Sequence, residues 1–122
     1  MPKTLTDKEL KFLKTLKSKL KEELVDSYID LVLFGSKARG DSNKNSDIDL
    51  LLVINNKQCI DKADEVLFDV QMQYDIYNVN ILIYLENNYK NQLNNSKNLF
   101  FGNVKKEGIH IWILKIKFHY QR

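Results

Sequence analysis

Leucines recur at three- and four-residue steps from Leu10 through Leu13, Leu16 and Leu20 to Leu24. That period predicts an amphipathic helix over 6–24. Thr6, followed three residues later by Glu9, matches a capping box at its start. Lys8, Lys11, Lys14, Lys19, Lys21 and Glu22 form the opposite, solvated face. Ile29 to Phe34 (IDLVLF) is short, apolar and partly β-branched, and predicts a buried strand ended by Gly35-Ser36. Lys37 to Ser46 is polar, with a loop signature at Gly40-Asp41-Ser42-Asn43. Asp47 to Ile54 (DIDLLLVI) predicts a second buried strand with charged first residues. Gln58 to Tyr74 carries Ile60, Ala63, Leu67, Val70 and Tyr74 on one face, a second helix. A third strand lies within Asp75 to Leu85, and one or two short helices with a turn near Ser96 span 87–106. Ile109 to Tyr120 alternates apolar and polar with a slip at Leu114, which predicts a bulged last strand. The order α-β-β-α-β-α-(α)-β predicts an α/β or α+β fold, a mixed sheet covered by helices. One domain is expected over 1–122: a helix at 6–24, a core at 29–85, and helices and a strand over 86–120.

Composition narrows the class. A chain of 122 residues suits a single domain, and 43% apolar with 29% charged residues is the balance of a soluble globular protein. One proline and four glycines exclude a collagen-like or Pro/Gly-rich chain. The single cysteine, Cys59, excludes an internal disulfide framework and a multi-cysteine zinc site, and fits a cytoplasmic protein. No apolar run approaches the roughly 20 residues of a membrane helix, and the N-terminus is no signal peptide. A net charge of +3 is too small for a protein built to grip DNA.

The candidate chemistry lies in Leu33 to Val53, LFGSKARGDSNKNSDIDLLLV. Asp47 and Asp49 flank Ile48; on a strand, residues two apart project from one face. Two carboxylates so placed repel each other unless a cation sits between them. Hard oxygen donors suit magnesium or manganese. Gly35 lets a backbone approach a phosphate, and Ser36 adds a hydroxyl and a backbone N–H. Adjacent strands would bring that turn beside the aspartates, making a metal–triphosphate site.

Gly35-Ser36, ten intervening residues, then Asp47-Ile48-Asp49 resembles the signature of the polymerase-β-like nucleotidyltransferases. GSKARGDSNKNSDIDLLLV is similar to the minimal nucleotidyltransferase (MNT) proteins, many of them antitoxins of MNT–HEPN toxin–antitoxin pairs. Asn103 to Ile109 (NVKKEGI) resembles that family's C-terminal end. The resemblance implies transfer of AMP from ATP, with Mg2+ or Mn2+, to a hydroxyl such as a tyrosine of a HEPN-type toxin. It implies that Asp47 and Asp49 hold metal and that Gly35 and Ser36 grip phosphates. It further implies that Arg39, with Lys37 beside it, neutralises phosphate charge, and that Ser46 orients the aspartate pair. A third carboxylate is expected on a later strand. One register gives Asp75 that place, as metal ligand and aid to deprotonating the acceptor; the other gives it to Asn80.

Other residues have plainer readings. His110 and His119 lack metal-spaced neighbours, Cys59 begins a helix, and Trp112, Tyr77 and Tyr84 fit either core packing or a stacking platform for an adenine. Three functions remain open: an AMP-transferring antitoxin, an antitoxin acting by contact alone, and a small-molecule nucleotidyltransferase. The last is expected to need a further helical domain for its acceptor. A toxin partner, no membrane, no stable DNA binding and a possible oligomer complete the expectations.

Overall fold

The computed structural model describes residues 5–40, 46–95 and 97–111. Helix α1 (Asp7–Leu24) starts at the expected cap. The Thr6 backbone N–H donates to Glu9 Oε1 (2.9 Å), and the Glu9 N–H donates to the Thr6 hydroxyl oxygen (3.0 Å). Two N–H groups that the helix itself cannot pair are thereby satisfied. Phe12, Leu13, Leu16, Leu20 and Leu24 are buried along its inner face.

The chain continues through β1 (Tyr28–Phe34), α2 (Gly35–Arg39), β2 (Ile48–Ile54), α3 (Ile60–Tyr74) and β3 (Val79–Leu85). It then forms α4 (Glu86–Leu93), α5 (Leu99–Glu107) and β4 (Ile109–His110). The four strands make one sheet in the order β3-β2-β1-β4. β2 runs parallel to β3, with α3 as the crossover, and β1 is antiparallel to β2 and β4. This is the mixed α+β sheet the sequence predicts. Ile48, Leu50, Leu52 and Ile54 pack on the side of α1 and α3; Leu51 and Val53 pack on Phe101 and Val104 of α5. Apolar contact on both faces explains why β2 reads as an unbroken apolar run.

The structure sharpens several of the expected boundaries. Gly35 and Ser36 open the helical turn α2, which Gly40 ends in the left-handed region (φ 82°), at the start of the loop signature. The third strand starts at Val79, because Asp75 (φ 54°) is the left-handed residue that closes α3. Aspartate tolerates that conformation better than most non-glycine residues. Tyr77 therefore falls in the turn before the strand and is 57% exposed, not in the core. Two separate helices, α4 and α5, occupy the next region, while Ser96 lies outside the described residues. Of the expected last strand, Ile109–His110 is described; Trp112 to Tyr120, with His119, lies outside the described residues.

Helix α2 turns Lys37 inward. Its side chain is fully buried, with Nζ 3.2 Å from Glu9 Oε2 and 3.3 Å from Glu9 Oε1. Lys37 thus ties α2 to the capped end of α1, a place different from the phosphate-side one the sequence suggested.

Two predictions follow from the packing. Lys37→Ala leaves Glu9 as a buried charge without that cation, so urea unfolding is expected to show a loss of about 3–5 kcal/mol. Replacing both partners (Lys37→Met with Glu9→Gln) is expected to recover much of it, since the uncompensated charge goes too. Burial and the Asp30 carboxylate hold the Tyr28 hydroxyl well above the usual tyrosine range, and the same causes raise Tyr89. A raised folded-state pKa means that folding holds the proton more tightly. The resulting stability is whole below about pH 10 and lost as pH rises through the folded value. Urea midpoints are expected to fall above about pH 10, and to fall less in Tyr28→Phe.

Candidate active site

The central strand carries its charges at its first turn out of the core. Ile48 is fully buried on the α1–α3 side, so its neighbours Asp47 and Asp49 emerge on the other. Asp49 is half-buried and Asp47 exposed. In the sheet register Asp49 lies between Phe34 of β1 and Asn80 of β3. The Asn80 amide Nδ2 donates to Asp47 Oδ2 and to Asp49 Oδ1, each at 3.1 Å. One nitrogen therefore draws the two carboxylates together and offsets part of their repulsion.

Gly35 closes the site from β1. Its φ is 73°, and a Cβ there would overlap Asp49 Oδ2 and stand 3.2 Å from Asp49 Cγ. Both the backbone conformation and the close approach require glycine. Ser36 follows, half-buried, at the start of α2. Ser46 is held through its carbonyl, which accepts from Asn78 Nδ2 (2.9 Å), while the Ile48 N–H donates to the Asn78 carbonyl (2.8 Å). Asn78 thus fixes the entry to β2 against the entry to β3. Arg39 reaches Glu107 of α5 (3.5 Å). On the same sheet face Phe34 stacks edge-on against Phe100, with ring centroids 5.4 Å apart.

The structure therefore gathers Gly35, Asp47 and Asp49, with Ser36 and Ser46 adjoining them along the chain. Arg39 lies on α2 and leans toward α5. Asp75 does not join them. It is exposed at the end of α3, four residues ahead of β3, and among the described residues no three His, Cys, Asp or Glu side chains gather as a metal site. The place across from Asp49 belongs to Asn80, so the Asn80 register is the one the fold adopts. Asn78 was not singled out from sequence; its signal is Asn78-Val79-Asn80, two amides alternating with an apolar residue at the head of a strand. Outside the site, His110 Nδ1 is 2.5 Å from Asp30 Oδ2, a paired histidine at the sheet edge.

The two carboxylates suit one divalent cation. Each offers hard carboxylate oxygens, and Asn80 Nδ2 draws the pair together; magnesium is commonly held by one or two carboxylates plus phosphate oxygens and water.

Residues 11–117 match the nucleotidyltransferase domain family. Over 66 residues, 52% of this chain, the sequence is 39% identical to "Putative protein adenylyltransferase MJ1305" of Methanocaldococcus jannaschii. The matched stretch is 44% of that relative's length. A solved structure described as "Crystal structure of the toxin-antitoxin with AMP-PNP" superposes with a TM-score of 0.52 at 20% identity, over 80% of this chain and 70% of that one. That likeness is one of fold. No helix among the described residues is long and apolar enough to cross a membrane. The family match runs through the Gly-Ser turn, the aspartate pair and the sheet that brings them together. The chain belongs to the nucleotidyltransferase domain family.

Proposed function

We propose that the chain transfers AMP from ATP to a protein hydroxyl, that of a tyrosine on a HEPN-type toxin, and acts in the cytoplasm as the antitoxin to that toxin. The observation that carries this is the pairing of Asp47 and Asp49 through Asn80, with Asp49 set against the bare backbone of Gly35. Family membership supports nucleotidyl transfer. The adenylyltransferase name of the methanogen relative supports a protein acceptor, and the toxin–antitoxin structure of like fold supports a toxin partner.

Gly35 and Ser36 would lay the β- and γ-phosphates along the start of α2. Arg39 on the same turn adds positive charge near them. Asp47 and Asp49 would hold Mg2+, or Mn2+, which when bound polarises the phosphate oxygens and neutralises the leaving group. The acceptor oxygen attacks the α-phosphorus, a new O–P bond forms, the bond to the β-phosphate oxygen breaks, and pyrophosphate leaves. The hydroxyl proton passes to solvent. Asn80 in place of a third acid favours a second reading, an antitoxin that silences its partner by contact with weak catalysis or none.

The test uses labelled ATP, magnesium and a candidate partner toxin. Label is expected on a partner tyrosine, falling at least about 100-fold in Asp47→Ala with Asp49→Ala, since the lost metal contact is worth several kcal/mol and each 1.36 kcal/mol is tenfold. Asp75→Asn is expected to stay within about twofold of the parent. A stable silencing complex without label in either form would leave the contact reading. Label moving to a small molecule would point to the third function. Gly35→Ala is expected to weaken nucleotide binding at least about tenfold, about 1.4 kcal/mol, in a titration with a non-hydrolysable ATP analogue.

A further inference from the structure

We infer that this site holds a single divalent cation, on the Gly35 side of the aspartate pair, and that the Asn80 amide stands where a second would bind. The inference rests on the proposed nucleotide–metal role of Asp47 and Asp49 and fixes its stoichiometry.

The pair is approached from two sides that differ chemically. On one side Gly35 follows the end of β1, and Asp49 turns Oδ2 toward the glycine so closely that a Cβ would overlap it. That is the side of the Gly35-Ser36 turn, where phosphate oxygens can complete a cation's shell. On the other side stands β3. There Asn80 Nδ2 donates to Asp47 Oδ2 and Asp49 Oδ1 at 3.1 Å each. Each carboxylate so gives one oxygen to a neutral N–H donor instead of to a cation.

Two cations about 3.5–4 Å apart need carboxylates that bridge them and further anionic ligands on each. This site has two carboxylates, and among the described residues no third His, Cys, Asp or Glu gathers with them. An amide nitrogen cannot ligate as it stands, and its carbonyl oxygen carries no net charge. The triphosphate's charge would serve an ion on the Gly35 side, whereas an ion on the acceptor side would have only the two shared carboxylates as anionic ligands. The hydrogen bonds from Asn80 then do for the acceptor side what a second ion would otherwise do, holding both carboxylates in place at lower charge. The acceptor hydroxyl consequently meets no metal of its own, and its deprotonation falls to solvent or to a group on the acceptor protein.

The experiment counts Mn2+ bound per chain, by equilibrium dialysis with a saturating non-hydrolysable ATP analogue, and reads electron paramagnetic resonance of the bound ions. The parent chain is expected to bind one Mn2+ with an uncoupled spectrum. Asn80→Asp is expected to bind two, a twofold rise, with the spin coupling of ions a few ångströms apart. Asn80→Ala removes both hydrogen bonds without adding a ligand and is expected to stay at one. Asn80 is exposed, and a melting curve of each variant checks that it folds. Two coupled ions in the parent would overturn the inference while leaving the nucleotide–metal role standing. One ion in Asn80→Asp would overturn the claim that Asn80 sets the count. No Mn2+ in the parent beyond that of Asp47→Ala with Asp49→Ala would overturn both the inference and the role beneath it.

Discussion

Two negative charges on one face of a strand, two residues apart, repel, and much of this chain is arranged around making that arrangement stable. β2 cannot rotate to relieve it, because Ile48, Leu50 and Leu52 anchor one face and Leu51 and Val53 the other. A one-residue slip would bury the aspartates and expose the core. The relief comes instead from the neighbours. β3 lies in parallel register and supplies an amide, and β1 is followed by a glycine that admits the carboxylate at close range. The register of the sheet and the composition of the site are therefore one constraint.

Much of this was legible in the sequence, and for identifiable reasons. Long-period signals were strong: the leucine stripe and the Thr6–Glu9 box defined α1, and the apolar run DIDLLLVI defined β2 with its charges at one end. The aspartate pair and the Gly-Ser turn were legible because strand periodicity and strand adjacency bring them together without further information. What was not legible depended on pairing between distant segments. Asp75 and Asn80 both precede or enter an apolar strand, and only the register with β2 decides which stands across from Asp49. The left-handed cap at Asp75 is a single-residue backbone event that an aspartate permits but does not announce. Lys37 was misplaced for a similar reason. A lysine in a polar stretch reads as solvated, and its burial depends on a glutamate 28 residues earlier.

The family comparison and the geometry bear on different questions. Membership places nucleotidyl transfer in view, whereas the hydrogen bonds of Asn80 concern how strongly this member is equipped for it. An amide at that position leaves the site with one negative charge fewer than an acid would give it.

The Gly-Ser turn is also strung between the two helical layers. Through Lys37 it is tied to Glu9 and the cap of α1 on one face of the sheet; through Arg39 it is tied to Glu107 of α5 on the other. The turn thus acts as a tie-rod across the molecule. Anything that seizes α1 or α5 from outside therefore pulls on this turn, and through the close approach of Gly35 to Asp49 the pull reaches the aspartate pair as well.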